Sequence, residues 1–230
     1  MKRTIREEPE ETRRSAATDR RLMDMYDAML AAAGPRGWWP ARTRFEVCVG
    51  AILTQNTAWS NVSRAIGNLR AARVLSPAAL RDIPTAGLAQ LIIPSGYYNV
   101  KAQKLKNFVN FLYGGYGGSL DRLFRRGVPE LREALLGVNG IGPETADSII
   151  LYAARKPIFV IDAYTRRILG RHNLAPHDAP YDDLRMFFEN NLPTGVPLFN
   201  EYHALIVYVG HNYCRRAPLC GACPLQPFLP

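Results

Sequence analysis

Two features of the sequence could do chemistry together: a turn built on two glycines and a single acid that follows it. Gly140 and Gly142 lie in the segment 138–146, where the turn opens onto a helix that begins with small residues. Such a turn leaves backbone N–H groups bare at a helix N-terminus, where they can bind a phosphate. Asp162 comes twenty residues after Gly142, at the end of an apolar run. A phosphate site with a carboxylate nearby predicts an enzyme that binds nucleic acid and acts on a sugar or a base.

Both features also have a plain structural interpretation. An αα-hairpin with a glycine C-cap uses the same turn, and Asp162 could be the N-cap of the next helix, a contribution of about 1 kcal/mol. The two roles of Asp162 are compatible, because a capping carboxylate is held rigidly at the positive end of a helix dipole. A carboxylate fixed in this way can stabilise an oxocarbenium ion or orient a water molecule, as in glycoside cleavage.

The composition favours a folded protein with a polyanionic partner. The 230 residues are 47% hydrophobic, enough for a core in one large domain or two small ones. Lys and Arg number 29 against 20 Asp and Glu, so DNA or RNA is the first candidate partner, although an ordinary basic protein has the same composition. Residues 1–20 predict a mobile tail without the apolar region of a signal peptide. No run reaches the ~20 apolar residues of a membrane span, so we expect a cytoplasmic protein without a membrane partner.

Helical periodicity runs through the chain, and no stretch alternates as a strand does. Thr43 and Glu46 have the spacing of a capping box, which predicts a helix start with its apolar residues on one face. Ser60 is expected to cap the following helix. The pattern predicts an all-α protein of about ten helices. The longer ones are expected over 21–33, 44–53, 60–69, 101–113, 144–153, 162–169, 181–190 and 200–208.

Four motifs resemble those of the helix-hairpin-helix DNA glycosylases of the endonuclease III superfamily, in the same order and at similar separations. They are the segments 53–57, 95–102, 136–142 and 160–162, and the resemblance extends over residues 20–223. It implies an enzyme that flips a damaged base out of double-stranded DNA and cuts its N-glycosidic bond. It also implies a monomer at the nucleoid, with two helical lobes and a DNA cleft between them. We expect a helical barrel domain over 44–155 that ends in the hairpin at about 130–153, and a second lobe from 21–43 and 156–230.

One position of the motif bears on the mechanism. The bifunctional branch of the superfamily carries a lysine two residues after the second hairpin glycine, and its amine attacks C1′ to form a Schiff base. This chain has Glu144 there, and a carboxylate cannot form an imine. The resemblance therefore implies a monofunctional glycosylase that uses water and Asp162. A bifunctional glycosylase and AP lyase for oxidised pyrimidines, and a DNA-binding module without catalysis, remain the alternatives.

Within the superfamily, the sequence is most similar to the 3-methyladenine DNA glycosylase III type. The shared features are an acid after the hairpin and a Trp-Trp-Pro loop followed by another tryptophan. That branch uses the matching residues to hold alkylated purines, which aromatic faces bind by stacking and cation–π attraction. The implied base pocket comprises Trp38, Trp39, Pro40, Trp59 and His211, the last standing where the branch has a lysine. Packing of a proline turn is the alternative role for the tryptophans, and a plain surface position is the alternative for His211.

The resemblance assigns DNA contacts to residues outside the base pocket. Gly140, Gly142 and Thr145 would anchor a phosphate at the hairpin. Gln55 would fill the gap that the flipped base leaves, or would simply face solvent at a helix end. Lys101 follows a turn that contacts the DNA backbone in the family, although a solvated helix face is the ordinary interpretation of a single lysine.

Three cysteines close to the C-terminus raise the question of a metal cofactor. Superfamily members often hold a 4Fe-4S cluster with four thiolates. Cys214, Cys220 and Cys223 match three of these positions with a first gap one residue short, and the fourth position falls on Leu229. Cys48 stands far upstream in an apolar helix stripe and is better explained as a core residue. A cluster with three cysteines, no cofactor and a zinc site all remain open.

Overall fold

The computed structural model describes the backbone of residues 10–230 and the side chains from residue 17 onward. Within these residues every regular element is helical and no strand is present, so the all-α prediction is confirmed. The α-helices are α1 (Glu10–Ala33), α2 (Arg44–Leu53), α3 (Trp59–Ala71), α4 (Pro77–Asp82), α5 (Thr85–Leu91), α6 (Tyr98–Tyr116), α7 (Leu120–Leu123), α8 (Val128–Leu136), α9 (Pro143–Ser148), α10 (Ala163–Arg171), α11 (Tyr181–Asn191) and α12 (Val196–Asn212). None of the described helices combines the length and apolarity that crossing a bilayer requires.

The helix starts show which local signals the fold uses. Thr43 caps α2, since its hydroxyl accepts a hydrogen bond from the Glu46 N–H at 3.1 Å. The second half of the predicted capping box is absent, because the buried Glu46 carboxylate instead pairs with Arg70 on α3 at 2.7 Å. Helix α3 begins at Trp59, and its N-cap is Ala58 without a side-chain bond, so the predicted cap at Ser60 is wrong.

The first helix is longer than the sequence predicts. The mobile tail expected for residues 1–20 lies partly outside the described residues, which begin at Glu10. From Glu10 to residue 20 the chain is helical and continuous with α1, so this helix begins earlier than the start predicted at residue 21, and the mobility of the tail stays a prediction. The apolar residues that recognition of α1 depends on begin only at Leu22, which is fully buried together with Met25 and Met29. Helices are predicted from the spacing of their large apolar residues, so a helix end that lacks such residues cannot be located from the sequence.

The chain divides into two compact units. Unit 1 comprises residues 1–38 and 161–230, and unit 2 comprises residues 39–160. In unit 1, helix α12 packs against α1 and α10, and its core includes the buried rings of Phe188, Phe199 and Tyr202. In unit 2, α6 packs against α2, α4 and α5, around Phe108 and Leu105.

The hairpin of unit 2 joins α8 to α9 through the turn 137–142. Helix α9 continues into a single π-helical turn, Ile149–Ala153. An ion pair joins the two helices of the hairpin. The Arg132 guanidinium on α8 donates to both carboxylate oxygens of Asp147 on α9, at 2.8 and 3.3 Å. Asp147 is completely buried, so this pair fixes the hairpin from within.

Candidate functional site: a capped carboxylate and a glycine hairpin

Asp162 is the N-cap of α10 and is held by its own helix. One carboxylate oxygen, Oδ1, accepts hydrogen bonds from the Thr165 N–H at 2.7 Å and from the Thr165 hydroxyl at 2.8 Å. The predicted N-cap is therefore confirmed. The side chain keeps 12% of its surface exposed, so the cap does not seal the carboxylate from solvent. This geometry supplies a rigid negative charge at a helix N-terminus.

The second oxygen of Asp162 faces a histidine that sequence reasoning did not find. His203 Nε2 on α12 lies 3.7 Å from Asp162 Oδ2. Burial lowers the pKa of His203 from its ordinary value, and the Asp162 charge acts in the opposite direction. A single histidine in the apolar stretch of a helix carries no sequence signal for such a contact, because only the packing of α12 on α10 creates it.

The two hairpin glycines have different reasons to be glycine. Gly140 has a φ of +95°, and a Cβ built on it would lie 2.4 Å from Lys104 Cγ. Gly142, the N-cap of α9, has a φ of −95° that any residue adopts, and a Cβ there would meet no atom within 4 Å. Gly140 is therefore required by the fold. Gly142 leaves an open surface at the start of α9, as close approach of a ligand would need.

Gln55 and Thr145, two of the predicted DNA contacts, meet inside unit 2. The Gln55 amide Nε2 donates to Gly140 O at 3.0 Å and to the Thr145 hydroxyl at 2.9 Å, and the Lys104 ammonium donates to Gln55 Oε1. The network fixes the turn after α2 against the hairpin. The gap-filling role of Gln55 stays a prediction, and it requires the amide to leave these partners.

The hairpin glycines predict opposite outcomes for two alanine variants. Gly140→Ala should lower the free energy of unfolding by about 1–3 kcal/mol, because it strains the backbone and collides with Lys104. Gly142→Ala should leave stability unchanged but weaken duplex binding by about tenfold, the value of one lost hydrogen bond to a phosphate. Urea denaturation and fluorescence anisotropy measure the two effects. Gly142→Ala binding DNA as tightly as the wild type would count against a phosphate at this turn.

The prediction that Lys101 contacts DNA is wrong. Lys101 is only 2% exposed, and its ammonium donates to Leu53 O at 2.8 Å and to Ser95 O at 2.6 Å. It thus satisfies a carbonyl at the end of α2. Burial lowers the pKa of Lys101 to about 8. Lys106 has the same kind of role, since its ammonium donates to Leu80 O and Arg81 O at 2.9 and 2.8 Å.

Replacing Lys101 should therefore affect folding rather than DNA contact. Lys101→Met keeps the aliphatic stem but leaves two carbonyls without their donor, so the free energy of unfolding should fall by about 1.5–3 kcal/mol. The salt dependence of DNA affinity should stay that of the wild type. A decrease of the salt slope by about one unit would instead place the ammonium on a phosphate.

Two of the three tryptophans predicted for the base pocket contact each other. Trp39 packs edge-to-face on Trp59 with ring centroids 5.1 Å apart, and it also meets Tyr152 at 5.2 Å. Its six-membered ring lies over Gly50, where a Cβ would come within 3.1 Å of Trp39 Cζ2. The result is an aromatic cluster in unit 2, half-buried at both tryptophans. Tyr152 also belongs to it, and no feature of the sequence predicted a role for this ring.

The other three predicted pocket residues are Pro40 of unit 2 and two residues of unit 1. Pro40 follows Trp39 and is exposed. Trp38 is the last residue of the first segment of unit 1 and is half-buried. His211 lies near the end of α12, also in unit 1, and its side chain is exposed. Their assignment to the base pocket stays a prediction.

Tyr97 is a candidate DNA contact that the sequence analysis passed over. Its side chain is 74% exposed, and its backbone takes the left-handed conformation with a φ of +43° just before α6. Strained non-glycine residues of this kind concentrate at functional sites, and an exposed aromatic ring can stack on a base. The available signal was its place inside the motif 95–102.

The three C-terminal cysteines line one cavity in unit 1. Its volume is about 330 Å³, part of it open to solvent, and Leu229 lines it as well. Burial raises the pKa of the Cys223 thiol, and the nearby thiols of Cys214 and Cys220 act in the same direction. Among the residues that the structure describes, no group of three histidine, cysteine or acidic side chains is arranged to hold a metal ion. With an apolar side chain at the fourth position, the residues present do not fit a cluster that takes four thiolates.

Arginines hold the cysteine loop in place. The Arg171 guanidinium donates to Cys214 Sγ at 3.2 Å and to Arg215 O at 2.7 Å. The Arg167 guanidinium donates to Cys214 O at 2.6 Å and to Gly210 O at 3.1 Å. The loop is thus attached to α10 through side chains of that helix.

The sequence profile of the HhH-GPD superfamily, described as base excision DNA repair proteins, matches residues 49–194. The chain is 44% identical over 208 residues to a protein of Methanocaldococcus jannaschii named "Putative DNA repair glycosylase", which covers 90% of this chain and 94% of that protein. It is 27% identical over 195 residues to endonuclease III of Sulfolobus acidocaldarius, with 81% and 82% of the two chains covered.

Two solved structures have a similar fold. The 3-methyladenine DNA glycosylase of H. pylori, bound to 1,N6-ethenoadenine, superposes with a TM-score of 0.74 at 28% identity, over 84% of this chain and 97% of that chain. Endonuclease III in a non-covalent complex with DNA gives a TM-score of 0.79 at 20% identity, over 92% and 94% of the two chains.

Proposed function

Because the chain belongs to the HhH-GPD superfamily of base excision DNA repair proteins and is a DNA N-glycosylase, we propose that it is a monofunctional enzyme for alkylated purines such as 3-methyladenine. It hydrolyses their N-glycosidic bond in double-stranded DNA. The observation that carries this proposal is the Asp162 carboxylate, rigidly capped by Thr165 and 12% exposed. No lysine accompanies it at the hairpin position where a bifunctional enzyme has one.

Asp162 would act on the sugar of the flipped nucleotide. As the C1′–N bond breaks, the base leaves with the bonding electrons and positive charge develops on the sugar. A carboxylate held by two hydrogen bonds to one oxygen needs little reorganisation to stabilise that charge. Water then adds to C1′ and gives up its proton to the carboxylate or to the departing base.

Glu144 supports the monofunctional assignment. It is exposed in the first turn of α9, where a negative charge is favoured by the helix dipole. A carboxylate cannot form an imine with C1′, so strand cleavage by β-elimination has no nucleophile at this position. Lys104, whose side chain packs against Gly140, is the lysine to examine if a covalent product is found.

The aromatic cluster supports an electron-poor base as the substrate. A purine nucleotide methylated at a ring nitrogen, such as 3-methyladenine, carries a positive charge, and aromatic faces attract it by cation–π interaction. Such a base also leaves readily, so weak acid catalysis is sufficient. The 3-methyladenine glycosylase of H. pylori is similar at 28% identity, which agrees with this choice of substrate class.

A base-release assay on a panel of duplexes tests the proposal. The panel contains one methylated, one deaminated and one oxidised base in the same sequence, and the same reactions are run with borohydride on abasic DNA. We expect release of the methylated purine and no covalent product. Covalent trapping that is lost in Lys104→Ala would establish the bifunctional alternative. DNA binding without release of any base would establish the other alternative, a DNA-binding module without catalysis.

A further inference from the structure

A buried imidazole faces the carboxylate that the proposed function depends on. His203 on α12 is 5% exposed, and its Nε2 lies 3.7 Å from Asp162 Oδ2. At this distance the contact is electrostatic rather than a full hydrogen bond. The other oxygen, Oδ1, is already occupied by the two bonds from Thr165.

The contact is created by close packing of α12 against α10. Gly210 lies seven residues after His203, on the same face of α12. A Cβ on Gly210 would come within 2.4 Å of Tyr164 Cδ1 on α10. The absence of a side chain at Gly210 thus lets the start of α10 approach α12, and Asp162 reaches His203 as a consequence.

We propose that His203 is a positioning residue for Asp162, which holds the plane of the carboxylate by contacting Oδ2 from within the protein. The inference rests on the proposed function, in which Asp162 acts on the sugar. The two bonds from Thr165 fix the position of Oδ1, but the terminal torsion of Asp is broad, so Oδ2 keeps some freedom to move about that fixed point. A contact at the second oxygen removes that freedom.

The ionisation of His203 agrees with this role. Burial lowers its pKa, with the Asp162 charge opposing that effect, which favours the neutral ring. A neighbouring carboxylate favours the tautomer that carries the proton on Nε2. The preceding residue on α12, Tyr202, faces α1 instead. Its hydroxyl donates to Leu22 O at 2.9 Å, and its ring packs edge-to-face on Tyr26.

Two variants of His203 separate positioning from general packing. His203→Leu removes the polar contact, whereas the amide nitrogen of His203→Gln has about the reach of Nε2. With a methylated duplex, His203→Leu should lower the single-turnover rate of base release by about 10- to 100-fold, as expected for a displaced catalytic group. His203→Gln should recover most of the rate. Affinity for an abasic duplex should be unchanged in both.

His172 supplies the matched control. It is also buried in unit 1, at 4% exposure, and burial lowers its pKa as well. It caps the opposite end of α10, ten residues from Asp162, and its Nδ1 lies 2.9 Å from Phe228 O. His172→Leu should lower Tm while the single-turnover rate stays that of the wild type at a temperature where both are folded.

The outcomes distinguish this inference from the proposed function. If Asp162→Asn releases base as fast as the wild type, the proposed function fails. If Asp162→Asn is inactive but His203→Leu is fully active, only the role of His203 is overturned. The same holds if His203→Gln is as slow as His203→Leu, or if His172→Leu is equally slow, because the effect is then one of packing.

A thermal-stability cycle tests the pair without any reaction. The four proteins are the wild type, His203→Leu, Asp162→Asn and the double variant. We expect the Tm loss of the double variant to be smaller than the sum of the two single losses, because the residues contact each other. Additive losses would overturn the inference even if the glycosylase assay found no substrate.

Discussion

Asp162→Asn should lower the single-turnover rate of base release by roughly 10²- to 10⁴-fold, the range for loss of a positioned acid–base or charge-stabilising group. Asn is as good an N-cap as Asp, so the bond from the Thr165 N–H to Oδ1 keeps an acceptor and α10 keeps its start. Asn has almost the same size and differs in the charge that the developing oxocarbenium ion needs. The variant therefore isolates that charge from the capping role.

Three measurements make the Asp162 result decisive. Circular dichroism should show for Asp162→Asn only the small loss of Tm that comes from the altered His203 contact, and anisotropy should show the same affinity for an abasic duplex. Asp162→Ala is the matched variant that loses the cap too, so its stability should fall by about 1 kcal/mol. If Asp162→Asn keeps the wild-type rate while Asp162→Ala is unstable, Asp162 is a cap and nothing more.

Arg132→Ala should be the most destabilising of the single substitutions considered, with a loss of about 3–5 kcal/mol in the free energy of unfolding. Asp147 is completely buried and accepts two bonds from the Arg132 guanidinium. Removal of Arg132 leaves a buried carboxylate without its cationic partner. Because α8 and α9 form the hairpin, we also expect weaker DNA binding at temperatures where the variant remains folded.

An exposed ion pair of the same unit provides the control for Arg132. Arg44 and Asp121 are 2.7 Å apart, but their side chains are 45% and 78% exposed. Asp121→Ala should therefore cost only about 0–1 kcal/mol. Urea denaturation of the full chain, followed by circular dichroism, compares the two variants. Equal losses in Arg132→Ala and Asp121→Ala would mean that burial of Asp147 does not set the strength of its pair.

Local signals allowed much of the fold to be predicted. The apolar period of α2 and the hydroxyl of Thr43 identified that helix, because an N-cap depends on neighbours three residues away. The cap at Asp162 was predictable for the same reason. The start of α1 was not, since the residues of its first two turns include no large apolar side chain that would mark a period.

Lys101 shows where sequence reasoning fails. A lysine on a helix after a turn has the same appearance whether its ammonium meets solvent, a phosphate or an internal carbonyl. Its burial depends on Leu53 O, 48 residues away in sequence. Hydrophobic periodicity is recognised only over short windows of the chain, so it cannot predict a contact between residues this far apart.

The amino-acid sequence by itself determined the helical class, the glycine hairpin, the capped aspartate and the glutamate where a Schiff-base enzyme has lysine. Each of these features depends only on residues that are close together in the chain. Tertiary structure alone decided which lysines are interior, which aromatic rings meet Trp39, and that a histidine on α12 faces Asp162. These depend on how helices distant in the chain pack together, and Gly210 controls one such approach through the side chain it lacks.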